Sequence, residues 1–399
     1  RANFGQKPFK YTPPDGFGPL VEADQTTPPV VRSDQYFGVQ VYEGNGVSPR
    51  TIDGFKFAPD LIWYKEISAA RDWQSYDTVR GAGTNKNLTF NTIYAENAND
   101  DEQYGYTSAF NDKGWVLTDG SAGSGNGDIY TNDNGQDYVA YAWRAGGSTN
   151  TFNIDGQGYS SAAAAGLDGG DINPAGCSIN TKAGFSILKY AGNQGTGQTL
   201  NHGLGEIPDF VICKNLGTSY NWFIWHESFG NGADAAIYFT NAAKSTGYNT
   251  QPFGTFTTSS LAFNNNDGVN GNYNYICYAW KNVPGLQKFG SYSGNSNADG
   301  SFVELGFRPA LLWLKRTDST GNWVILDTRR NPSNPVTISA YADSNSDANY
   351  DPGQDWADIL SNGFKLRATY GEVNVGSYIY CAWAEAPTVD LYGGGANAR

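Results

Sequence analysis

Tyr138-Val139-Ala140-Tyr141-Ala142-Trp143 returns as Tyr275-Ile276-Cys277-Tyr278-Ala279-Trp280 and again as Tyr378-Ile379-Tyr380-Cys381-Ala382-Trp383. Each is a strand-forming run of β-branched and aromatic residues. Working back from them, the same anchors precede every copy. A Tyr-x-Gly-Asn motif opens at Tyr42, Tyr190 and Tyr292. A proline follows at Pro59, Pro208 and Pro309, leading the runs Leu61-Ile62-Trp63, Phe210-Val211-Ile212 and Leu311-Leu312-Trp313, and Lys65, Lys214 and Lys315 close these runs. Trp73, Trp222 and Trp323 stand fourteen positions after each proline. Constant spacing at the anchors, with variable lengths between them, marks three copies of one folding unit.

The 399 residues include 50 glycines and 15% aromatics but only 16% charged residues. Aromatic and β-branched positions separated by Gly, Asn and Asp turns predict an all-β protein. The expected architecture is three tandem antiparallel β-sandwich, jelly-roll-like modules set in a row, each of eight to ten short strands. In this reading the tryptophan-bearing strands fill the gap between each module's two sheets. A formal charge of −13 with no Lys/Arg cluster argues against nucleic acid and anionic membrane surfaces as partners. No apolar run approaches a membrane span, so no membrane insertion is expected. Cys177, Cys213, Cys277 and Cys381 read as core thiols, with no pair at metal-ligand spacing.

Boundaries follow from the anchors. Residues 25–34 are a linker, 35–145 module one, 146–183 a Gly/Ala-rich connector packing on module two, 184–284 module two, 285–387 module three and 388–399 a tail. There is no methionine, even at position 1, so a longer precursor is expected.

Asn3-Phe4-Gly5-Gln6-Lys7-Pro8-Phe9 and Pro13-Pro14-Asp15-Gly16-Phe17 resemble the end of a SPRY-type β-sandwich, which makes residues 1–24 the remnant of an upstream domain. Gly184-Phe185-Ser186-Ile187, Asn201-His202-Gly203-Leu204-Gly205 and Pro208-Asp209-Phe210-Val211-Ile212-Cys213-Lys214-Asn215 resemble a module that recurs in tailed-phage virion proteins, cyanophages among them. Trp73 to Arg80 and Trp323 to Arg329 are similar counterparts of Trp222 to His226. The resemblance implies a non-enzymatic virion protein, a fibre or receptor-binding component on tail or capsid. Other virion proteins and a host surface glycan or protein would be its partners. It would be located in the virion, extracellular after release from the host cytoplasm. A homo-oligomer, by family type a trimer, is expected. The alternatives are a capsid or tail decoration protein and a secreted glycan-binding lectin; a polysaccharide depolymerase would need an acidic pair that no motif marks.

No catalytic residues and no cofactor are expected. His202 and His226 are the only histidines, and a catalytic constellation repeated per module would need one in each. His226 stands where the sister copies carry Asp77 and Asp327, and each of the three is expected to accept a backbone or tryptophan N–H within its own module. Asp343, Asn345, Asp347 and Asp351 space their oxygens as a calcium loop does, but Ala348 and Gln354 occupy the glycine and glutamate positions. A polar loop is the preferred reading. Tyr220, Trp225 and Trp356 break the repeat; partial burial is the default reading, and the candidate glycan role is that, where exposed, they would stack on a sugar face.

Overall fold

The computed structural model describes residues 30, 32–98, 101–123, 125–349, 353 and 355–385. The proposed upstream remnant at 1–24, most of the linker and the tail at 388–399 lie outside the described residues. Within them the protein is all-β, and no helix is long and apolar enough to cross a membrane.

Each repeat builds the same four-stranded antiparallel inner sheet. Its order is opening strand (Phe37–Glu43, Phe185–Ala191, Gln287–Ser293), closing strand (Asp137–Trp143, Asn274–Trp280, Ser377–Trp383), central strand (Leu61–Glu66, Phe210–Asn215, Leu311–Arg316) and edge strand (Gln74–Asp77, Phe223–His226, Trp323–Asp327). A smaller outer sheet completes each sandwich. In unit one it is Arg50–Asp53, Gly114–Thr118 and Tyr106–Asn111; in unit three, Phe302–Glu304, Gly363–Leu366 and Ala357–Leu360. In unit two it narrows to Gln198–Asn201 and Ser260–Phe263. The connector is more than a packed strap. Its strand Pro174–Asn180 pairs with the opening strand of unit two, and Phe152–Ile154 joins it in parallel.

The sandwiches do not stand in a row. Successive side chains of a strand point to opposite faces, and here both faces are covered. In unit one Leu61, Trp63, Val139, Tyr141 and Trp143 enter a core shared with the other units, whereas Ile62, Tyr64, Tyr138, Ala140 and Ala142 pack on Trp115 and Leu117 of the unit's own outer sheet. Units two and three divide their strands the same way: Ile276, Tyr278 and Trp280 with Ile379, Cys381 and Trp383 join the shared core. Cys277 and Ala279 fill one private core and Tyr380 and Ala382 the other. The inner sheets are thus walls of a closed, pseudo-threefold ring. The tryptophans expected inside each sandwich gap line its axis instead.

One layer of that axis is Trp143, Trp280 and Trp383, with ring centroids 6.3, 6.2 and 5.6 Å apart and edge-to-face tilts. Their indole N–H groups reach no oxygen acceptor among the described residues; edges packed against ring faces are the compensation available in an aromatic core. A second layer stacks Trp63 on Trp313 at 4.8 Å, with Phe239 meeting both edge-on. Truncating a buried tryptophan to alanine costs about 3–5 kcal/mol, a large part of the roughly 5–15 kcal/mol by which a domain is stable. A core drawn from all three units therefore ties their stabilities together.

The Tyr-x-Gly-Asn motif closes one end of each unit. A Cβ on Gly44, Gly192 or Gly294 would lie 1.9, 2.1 or 2.2 Å from backbone of the loop before the closing strand. The following asparagine is locked to a second, buried one. The backbone N–H groups of Asn45, Asn193 and Asn295 donate to the side chains of Asn132, Asn270 and Asn374, whose amides donate back at 3.0, 3.2 and 3.2 Å.

Candidate functional site

After each edge strand the chain leaves its own unit and lies across the next. The Trp73 indole N–H donates to Tyr341 O at 2.9 Å, Trp222 to Thr89 O at 3.3 Å and Trp323 to Tyr238 O at 2.7 Å. These three bonds run cyclically from unit one to three, two to one and three to two. The fixed spacing of the anchoring tryptophan therefore serves the contact between units.

The lysines of the repeat strengthen these straps. Lys65 donates to Asn345 O at 2.9 Å and Lys214 to Ile93 O at 2.8 Å, each on a neighbour's strap. Each also reaches the carbonyl two residues before its own tryptophan, Arg71 and Tyr220, as Lys315 does at Gly321. The Gly321 N–H in turn donates to Asn241 O of the strap from unit two, at 2.9 Å. Burial without a carboxylate contact pushes Lys65 and Lys214 down to about 7 and Lys315 to about 8.

Asp77 and Asp327 accept backbone N–H groups from within their own units, at Arg80 and Arg330 (2.8 Å each), as the sequence suggests. Their other oxygen does what it does not suggest. Asp77 takes Arg80 Nε at 2.5 Å and the hydroxyl of Tyr278 from the neighbouring unit at 2.7 Å; Asp327 takes Arg330 Nε at 2.5 Å and the hydroxyl of Tyr141 at 2.9 Å. At the third interface the whole triad changes together. His226 replaces the aspartate, Phe229 the arginine and Cys381 the tyrosine. His226 Nδ1 accepts the Ser228 N–H at 3.2 Å and its Nε2 lies 3.3 Å from Tyr380 O. Burial holds this imidazole down at about 4, hence neutral. No cation and anion are left unmatched there.

Where the three straps converge, the axis ends in an open pocket of about 350 Å³. Every unit lines it: Asn91 and Thr92 from one, Phe239, Thr240 and Asn241 from two, Asn322, Asp343 and Ser344 from three. Asn91 Oδ1 accepts the Trp73 backbone N–H at 2.9 Å and Asp343 Oδ1 that of Trp323 at 2.8 Å, which fixes both side chains at the rim. Burial raises the Asp343 carboxyl above the ordinary carboxylate range. Phe239 is held between Phe90, Trp222 and Trp323 and supplies the apolar base.

The sugar-stacking candidates are not at this site. Trp225 and Trp356 are 2% and 0% exposed, inside the private cores of units two and three, so neither can offer a face to a sugar. Their indole N–H groups donate to Gly230 O and Thr337 O. The cause is packing: Trp225 meets Phe256 edge-on at 4.8 Å and Trp356 lies against Tyr370. Tyr220 is half-buried against Phe223 and lies beside Ile93, to which its N–H donates. The calcium-like string is the strap of unit three. Asp343 is committed to Trp323, the Asn345 carbonyl takes the Lys65 ammonium and Ala348 is buried, while Asp351 and Gln354 lie outside the described residues. Among the described residues no three His, Cys, Asp or Glu side chains gather as a metal group.

Asn91 and Thr240 both fall eighteen residues after their anchoring tryptophan, and Asp343 twenty after its own. That near-constant offset was the available sequence signal for the pocket. Asn241 and Asn322 carry no such signal.

No curated protein and no solved structure matches this chain. One family pattern does, described as "Domain of unknown function (DUF7483)", over residues 32–387. The match runs through all three repeats without a break, as the shared core does, and by it the protein belongs to the DUF7483 family.

Proposed function

We propose that the chain is a non-enzymatic virion component of a tailed phage, a fibre or receptor-binding head that projects from tail or capsid and meets the host surface with the strap-crossed end of the ring. What supports this reading is the closure of three repeats around one shared core. The repeats spend their recurrent polar residues, the lysines, aspartates and indole N–H groups, on holding one another. At the axial end polar side chains from all three units line one open pocket. A single chain then offers a threefold-like tip without a homotrimer, and several copies on one particle would add avidity. The partners would be other virion proteins at the base and a host glycan or protein at the tip.

Cryo-electron microscopy of the particle carrying this chain tests the reading. Density at a tail tip or fibre end, with the axial pocket outward, is the expected result. Copies lying flat on the capsid with that end buried would refute host contact and leave a decoration role.

A further inference from the structure

We infer that the axial pocket is a binding site for a neutral polyhydroxylated ligand, the terminal residue of a saccharide. The inference rests on the host-contact reading above and gives it a chemical target.

The first observation is what the pocket leaves free. Among the described residues the side-chain amides of Asn241 and Asn322 make no hydrogen bond, although the backbone of each is fixed by a neighbouring unit or loop. Thr240 Oγ1 accepts only the Ala242 N–H at 3.3 Å, which leaves its hydroxyl proton to donate. Asp343 accepts the Trp323 N–H, and its own backbone N–H and Lys315 also act on the carboxyl. Two free amides and a hydroxyl thus line one rim as donors and acceptors, with the Asp343 carboxyl among them. Vicinal sugar hydroxyls, each both donor and acceptor, match such a mixed set.

The second observation is the base. Phe239, itself buried between Phe90, Trp222 and Trp323, closes the floor, and Ile93, 50% exposed, supplies the apolar surface beside the polar groups. A volume of about 350 Å³ falls at the small end of ligand pockets, which run from roughly 300 to 1,000 Å³. The pocket holds a terminal group and not a long chain. Its stiffness also favours binding, since all three straps are pinned across unit boundaries and little ordering remains on association.

The third observation is charge. Asp343 is the one ionisable group among the lining residues; the buried Lys315 and, more weakly, Glu372 act on it from behind, and the chain as a whole carries −13. Uronic and sialic acids would meet like charge and an acceptor without a proton to give. The assignment is therefore to neutral sugars.

The test uses the intact chain and four probes: methyl α-glucoside, methyl α-mannoside, methyl β-galactoside and methyl β-N-acetylglucosaminide. Glucuronate and glucosamine serve as charged controls, and saturation-transfer NMR is the readout. At least one neutral glycoside is expected to bind with a millimolar or better Kd, glucuronate at least tenfold more weakly. Asn241→Ala and Asn322→Ala should each weaken that binding about tenfold with unchanged Tm, because neither amide holds the fold. Four things would overturn the inference: silence from all four neutral probes at 50 mM, equal binding of glucuronate, stronger binding of glucosamine, or undiminished binding by both variants. Any of these, alongside tail-tip density with the pocket outward, would remove the sugar assignment and leave host contact standing.

Discussion

Tyr278→Phe removes one oxygen and nothing else, and the ring predicts an effect that a row of separate sandwiches does not. The Tyr278 hydroxyl donates to Asp77 Oδ2 at 2.7 Å across the boundary between units two and one, with both residues fully buried. Asp77 keeps Arg80 and its backbone donors, so the carboxylate stays matched and the phenyl ring keeps the cavity filled. The loss is one hydrogen bond to a charged acceptor, about 1.5–3 kcal/mol. With an unfolding entropy of about 2.1 cal/mol/K per residue over roughly 350 residues, each kcal/mol moves Tm by about 1.4 °C, so a drop of about 2–4 °C is expected. Asp77→Asn should cost more, on the order of 3 kcal/mol, because the buried Arg80 loses its nearer carboxylate and keeps only Glu96 at 3.3 Å. The double variant should be less than additive. Urea melts of the wild type and the three variants measure all terms of the cycle. A Tyr278→Phe change below about 0.5 kcal/mol, the range of surface substitutions, or a cycle with no coupling, would refute the contact between units.

Two further outcomes follow from the same geometry. Lys65, Lys214 and Lys315 have folded values of about 7, 7 and 8 against 10.5 when unfolded, so between pH 7 and 8.5 the unfolded chain binds more protons and stability rises with pH. Tm scans should show that rise; above it, Cys177, Cys277 and Cys381, whose thiols burial pushes up, act in the opposite sense. A Tm that falls from pH 7 to 8.5 would contradict the burial of the lysines. Gly192→Ala places a Cβ 2.1 Å from the Gly271 carbonyl, so it should destabilise by at least about 1–3 kcal/mol; an unchanged chemical-denaturation midpoint would count against the asparagine-locked turn.

Much of this fold was legible. The anchors gave the strands, and the repeat of the closing strand gave three units of like topology. What escaped was which way the tryptophans face. The run Val139-Ala140-Tyr141-Ala142-Trp143 has no polar alternation, and a strand of that kind is covered on both sides. A sandwich with a solvated outer face would show a polar residue at every second position. The missing alternation was thus the trace of a third layer, here the neighbouring units. Trp225 misled for a related reason. Three residues after the anchoring tryptophan, it aligns with Tyr76 and Leu326, both buried on the private face, so only its size breaks the repeat. Its bulk fills unit two, whose outer sheet is the narrowest. Asp77 and Asp327 were recognised as acceptors, but their tyrosines lie in other units, about two hundred residues away along the chain, and no local spacing announces such a partner. The pocket likewise arises only when three distant straps meet.

Differential scanning calorimetry of the chain tests the closed ring most directly. One transition, with calorimetric and van't Hoff enthalpies in agreement, is the outcome the shared tryptophan core requires. Separate transitions for the three repeats would contradict it.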